Sequence, residues 1–89
     1  MKSRTTEQFR KLLAGLPDRV QNQARQAYQQ FQRDPGHPSL RFKSVHTSLP
    51  IYSARIGKGY RALGQKDKKG IVWFWVGSHA DYDKLLSQP

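Results

Sequence analysis

The sequence predicts an α+β domain: two N-terminal helices packed on an antiparallel sheet of about four strands, with a short C-terminal helix. Three observations carry that prediction. Apolar residues recur at helical spacing from Phe9 to Phe31. From Leu40 onward the pattern changes to the alternation of half-buried strands. An unbroken apolar run, "IVWFWV" at residues 71–76, then needs cover on both faces and suits a central strand. With 89 residues the chain is expected to form one domain, residues 1–89.

Taken in order, Thr5 or Thr6 is placed to cap the first helix, and Glu7 in its first turn complements the helix dipole. Phe9, Leu12, Leu13 and Leu16 make one apolar stripe, which Gly15 and Pro17 end or bend. The second helix starts near Pro17 and Asp18, with Val20, Ala24, Ala27, Tyr28 and Phe31 on its apolar face. "RDPGHPS" (33–39) cannot continue a helix.

"LRFKSV" (40–45) reads as the first strand, Leu40 and Phe42 on one face and Arg41 and Lys43 on the other. "IYSARI" (51–56) puts Tyr52, Ala54 and Ile56 on one face, Ser53 and Arg55 opposite. Gly57-Lys58-Gly59 is a hairpin turn, and "YRALGQ" (60–65) returns with Arg61 facing away from Tyr60 and Ala62. "KDKKG" turns the chain into the apolar strand. "HADYDKLL" (79–86) closes it as a short helix, with Leu85 and Leu86 expected to dock back.

Composition narrows the function classes. There is no cysteine, which excludes disulfides, thiolate metal sites and cysteine nucleophiles. No segment approaches the roughly 20 apolar residues of a membrane span, and no signal peptide is evident at the N-terminus. A soluble, cytoplasmic protein is expected. Sixteen Lys and Arg against six Asp and Glu give a net charge of +10. Such an excess attracts polyanions or an acidic protein partner; its plainer reading is a solvated surface that confers solubility.

These segments together resemble a known family. The two N-terminal helices, the "DPGHPSL" connector, "YSARIGKGYRAL" and "VWFWVGSHADYDKLL" are similar to the RelE/ParE superfamily of bacterial toxins, over roughly Thr5 to Leu86. Many members open with a β-strand, for which "MKSR" is very short. The resemblance implies the toxin of a type II toxin–antitoxin pair, neutralised by a cognate, acidic antitoxin. RelE-like members cleave mRNA, usually on the ribosome; ParE-like members poison DNA gyrase by protein contact. A non-toxic relative that still binds an antitoxin is a third reading. Fold alone does not choose among them.

Metal-free RNA cleavage needs a proton acceptor for the 2′-hydroxyl, cations for the crowded phosphorane and an acid for the leaving oxygen. His79 stands where nucleases of this group place a basic or histidine residue, which implies general acid or base chemistry. Arg61 matches the phosphate-binding arginine of the RelE-like strand, and Arg55 corresponds loosely to a lysine there. Tyr82, three residues after His79, shares its helix face and matches an aromatic that orients or stacks on RNA. Arg41, Lys43 and Lys58 are expected to contact the RNA backbone. RelE uses several lysines and arginines at its active face, and here Ser53 and Ser78 stand where basic residues would help.

Each residue also has a plainer reading. His79 suits a helix cap, Arg61 a carboxylate partner, and Tyr82 a core position with a wet hydroxyl. Asp81 and Asp83 read as helix-start residues. His37 and His46 lie in loops with no third ligand at metal-binding spacing, so neither metal nor cofactor is expected. Trp73, Phe74 and Trp75 read as core.

Overall fold

The computed structural model describes residues 2–88. The chain runs β1 (Lys2–Thr5), α1 (Glu7–Ala14), α2 (Asp18–Arg33), a 3₁₀ turn (Pro38–Leu40), β2 (Lys43–Ser44), β3 (Ile51–Ile56), β4 (Tyr60–Asp67), β5 (Gly70–Ser78) and α3 (His79–Ser87). The α+β class and the order of elements agree with the sequence reading, but the sheet has five strands in the order β1-β5-β4-β3-β2. Among the described residues, no helix is long and apolar enough to cross a membrane.

The fifth strand is the N-terminal one. β1 pairs parallel with β5, Lys2 opposite Gly70 and Thr5 opposite Trp73. Four residues hold this place because two aromatic side chains anchor them. Trp73 Nε1 donates to Ser3 Oγ at 2.9 Å, and the Tyr28 hydroxyl donates to the Ser3 carbonyl at 3.0 Å. The polar tips of these two aromatics are thereby satisfied. At Gly70, φ is +149°, and a Cβ would collide with the Lys2 carbonyl. Glycine is required there by conformation and by close approach.

The expected strand from Leu40 to Val45 is mostly something else. His37 Nδ1 accepts from the Ser39 amide and caps the 3₁₀ turn, whose closing bond runs from the Arg41 amide to the Pro38 carbonyl. Arg41 then adopts a left-handed conformation (φ 46°), leaving only Lys43 and Ser44 paired with β3. Local capping bonds outcompete the ladder here. Phe42 still reaches the core, stacked on Tyr52 at 4.9 Å and edge-on to Phe31 at 5.1 Å.

The helices cover one face of the sheet. Thr6 caps α1 by accepting from the Phe9 amide, and Pro17 precedes α2. α1 lies over β5 and α2 over β3. Phe9, Val20, Ala24 and Phe31 meet Ala54, Ile56, Ala62, Ile71, Trp73 and Val76 beneath them. Between the helices an apolar cleft of about 490 Å³ stays open, bordered by Arg10 and Arg25. Leu85 and Leu86 do not dock: they are exposed, and Tyr82 is the residue of α3 that is buried.

One irregularity decides what β5 presents. Gly64 pairs with Trp73 but Leu63 pairs with Trp75, so Phe74 is an extra residue, a β-bulge. Ile71 and Trp73 face the helices; past the bulge the parity reverses. Val76 then faces the helices, while Trp75 and Gly77 fall beside Leu63 and Arg61 on the opposite face. Phe74 and Trp75 are only half-buried and lie outside the main core, unlike Trp73.

Two substitutions test these anchors. Gly70→Ala is expected to destabilise by at least about 2 kcal/mol, since backbone must move. Ser3→Ala, which leaves the Trp73 indole N–H without its acceptor, is expected to cost about 1–2 kcal/mol. Urea unfolding followed by tryptophan fluorescence measures both. A Gly70→Ala protein of unchanged midpoint would contradict the packing of β1 on β5.

Candidate active site

The site grows from the end of β5. Ser78 is the N-cap of α3: its Oγ accepts from the Asp81 amide at 3.2 Å. His79 is therefore the first residue of the helix. Its amide donates to the Gly59 carbonyl at 2.8 Å, tying the start of α3 to the β3–β4 hairpin that carries Lys58.

Arg61 lies opposite Gly77 in the β4–β5 register. With no side chain at 77, the indole of Trp75 lies across that position, where a Cβ would approach its ring to 2.7 Å. Tyr82, 6% exposed, packs beside them. The Arg61 guanidinium carbon is 5.7 Å from the Tyr82 ring centroid, and the His79 ring is 5.9 Å from it on a tilted approach. Tyr82 is thus a buried ring that both the arginine and the histidine approach. A buried ring offers no open face for a nucleobase to stack on; what it touches instead is these two neighbours.

The electrostatics point outward. Arg61 Nη1 is buried without a hydrogen-bond partner. Among the described residues, no carboxylate pairs with Arg41, Lys43, Arg55, Lys58 or Arg61; the paired cations are Arg4 with Asp67 and Lys11 with Glu7, besides His79 with Asp83. An arginine donor held out of water without an acceptor is costly unless a ligand supplies one. Ser53 Oγ, fully buried on the same face, is also without a partner.

The remaining sequence candidates divide. Lys43, opposite Ser53 in the register, shares the Arg61 face of the sheet two strands away, and Lys58 is exposed at the hairpin beside His79. Arg55 pairs with Arg61 in the ladder, but its Nε donates to the Gly57 carbonyl at 2.8 Å, and it borders a hollow with Gln23, Gln26 and Gln30 of α2. Its guanidinium is held at its own hairpin rather than at Tyr82. Arg41, exposed in its left-handed turn, lies off the strands altogether.

Sequence reasoning passed over Asp83. Its Oδ2 lies 3.1 Å from His79 Nδ1. The signal was present: His79 and Asp83 are four residues apart, the spacing that makes neighbours on a helix.

The unpartnered guanidinium generates a prediction. Arg61→Met keeps the side-chain length and removes a half-buried guanidinium whose Nη1 is unsatisfied. Stability should hold or rise by up to about 1 kcal/mol, while retention on a polyanion column falls. Thermal unfolding and heparin elution measure the two; marked destabilisation would make Arg61 a structural residue.

The comparisons with known proteins agree with this architecture. The family model described as ParE-like toxin domain matches residues 18–84. No curated protein sequence matches the chain. Solved structures do. The toxin–antitoxin complex RelB–RelE of Methanococcus jannaschii contains a chain similar at TM-score 0.74 and 16% identity, over 92% of this chain and 96% of that one. The RelBE2 toxin–antitoxin complex of Mycobacterium tuberculosis gives 0.70 and 24%, over 88% and 96%. YafQ of Escherichia coli gives 0.72 and 13%, over 91% and 96%. At these identities the likeness establishes the fold, and the family model spans most of the sequence. The chain belongs to the ParE-like toxin family, within the RelE/ParE superfamily that its strand motifs resemble.

Proposed function

We propose that this protein is the toxin of a type II toxin–antitoxin pair and that it cleaves mRNA without a metal or cofactor. The observation that most supports this reading is that Arg61, its Nη1 without a partner, and His79 both approach the one Tyr82 ring, at 5.7 and 5.9 Å. An anion-seeking fork next to an exposed imidazole is the minimum that transesterification of RNA needs. A gyrase-binding toxin needs neither.

In this reading the phosphodiester lies over the Arg61 face of the sheet, with Lys43 and Lys58 holding flanking phosphates by charge. The RNA 2′-oxygen attacks phosphorus, the bond to the 5′-oxygen breaks, and a 2′,3′-cyclic phosphate and a 5′-hydroxyl end result. Arg61 stabilises the charge on the non-bridging oxygens. His79 handles a proton of the reaction, and Tyr82 keeps the two at fixed separation.

The antitoxin is taken to be acidic, as complement to a charge of +10. Two of the three similar structures named above are toxin–antitoxin complexes, which supports a protein partner. The apolar cleft between α1 and α2, with Arg10 and Arg25 on its rim, suits an amphipathic segment flanked by carboxylates.

Inducible expression in bacteria, with growth and transcript ends followed, tests the activity. Wild type is expected to arrest growth and create new mRNA ends. His79→Ala and Arg61→Ala should each lower cleavage by about 10²-fold or more. Tyr82→Phe, which keeps the ring, should retain most activity, and Tyr82→Ala should lose it. Arrest with intact mRNA and DNA damage would transfer the assignment to gyrase, and absence of arrest would leave a non-toxic antitoxin-binding relative.

A further inference from the structure

The three histidines of this chain are held in three hydrogen-bonding environments, and these differ in which ring nitrogen they leave free. His37 Nδ1 accepts from the Ser39 amide at 3.2 Å. His46 Nδ1 accepts from the Ser48 and Leu49 amides at 3.1 and 2.9 Å. A nitrogen that accepts from an amide carries no proton, so the neutral forms of both rings carry theirs on Nε2. Neither has a basic nitrogen left to offer.

His79 is the reverse case. Its Nδ1 faces Asp83 Oδ2 at 3.1 Å, and an ionised carboxylate only accepts. The ring proton must therefore lie on Nδ1, and the lone pair on Nε2 is free. No donor among the described residues takes it. The ring is half exposed, so substrate can reach that nitrogen.

We infer that Asp83 is a positioning residue that holds His79 as the Nδ1–H tautomer, so that Nε2 is the general base for the substrate hydroxyl. The inference rests on the nuclease reading for its catalytic half; the tautomer itself does not. In the reaction, Nε2 takes the proton of the attacking 2′-hydroxyl as the oxygen–phosphorus bond forms, and solvent water protonates the departing 5′-oxygen. The Nδ1–H bond to Asp83 stabilises the imidazolium so formed, the same division of labour that a buried aspartate gives histidine in serine hydrolases. Here the pair is exposed, so the effect is smaller.

The test is proton–nitrogen correlation spectroscopy of the imidazoles in isotope-labelled protein, at a pH where all three are neutral. His79 is expected to give the Nδ1–H pattern, and His37 and His46 the Nε2–H pattern, serving as internal controls and as reporters that the fold is intact. Asp83→Ala should move His79 to the Nε2–H pattern. Asp83→Asn should preserve Nδ1–H, because the amide oxygen still accepts. RNA cleavage assayed on the same proteins should show kcat reduced about tenfold in Asp83→Ala with KM unchanged, part of the roughly 10²–10⁴ that a general base supplies. Asp83→Asn should recover part of that loss.

A wild-type His79 protonated on Nε2, or a pattern indifferent to Asp83→Ala, overturns the positioning role even if RNA is cut. The expected tautomers in a protein that cuts no RNA would sustain the positioning role and overturn the base role together with the nuclease reading.

Discussion

The bulge at Phe74 is the constraint on which the rest of the molecule depends. A regular strand would put Ile71, Trp73, Trp75 and Gly77 on one face, and the helix layer would have to absorb two indoles. By inserting one residue, β5 gives Trp73 to the helix-side core and Trp75 to the other side. The same reversal places Gly77 opposite Arg61 and sets the facing of the residues that follow. Bulges concentrate next to functional sites because they re-aim side chains without lengthening a strand. In this chain the re-aimed segment leads directly into His79.

The two faces of the sheet are built for different ends. The helix side is aromatic and well satisfied: Phe31 contacts Phe42 and Trp73 edge-on, and Ser3 takes up the polar tips of Trp73 and Tyr28. The opposite side keeps a buried guanidinium nitrogen and a buried hydroxyl without partners. Native proteins rarely leave such groups unmet, and each one calls for an explanation. That cost falls on one face only, the face that also carries Lys43.

Much of this was legible in the residues. Periodicity located both helices, because Phe9 to Phe31 keep one apolar face. Alternation located β3 and β4 and the facing of Ser53, Arg55 and Arg61. The failures have physical causes. β1 has too few residues to show a period, and what holds it is Ser3 meeting two aromatics far along the chain. The strand expected at Leu40 gave way to capping by His37, a local bond that no alternation reveals. Leu85 and Leu86 were read from hydrophobicity alone, but the helix turns Tyr82 inward instead. At the site, residue types could nominate His79, Arg61 and Tyr82, whereas their mutual approach depends on the bulge, which a run of apolar residues conceals. Asp83 was hidden in a cluster of helix-start acids.

The parallel pairing of Lys2–Thr5 with Gly70–Trp73 joins the two ends of the chain, with β5 threaded between the first strand and the fourth. In topological terms this is the contact of longest sequence separation in the sheet, and such contacts close late in folding because loop entropy opposes them until both segments are available. During synthesis the first strand must wait, unpaired, until β5 has been made. The strand that completes the sheet is also the one that leads into His79, so a nascent chain that has not yet reached β5 has no assembled site.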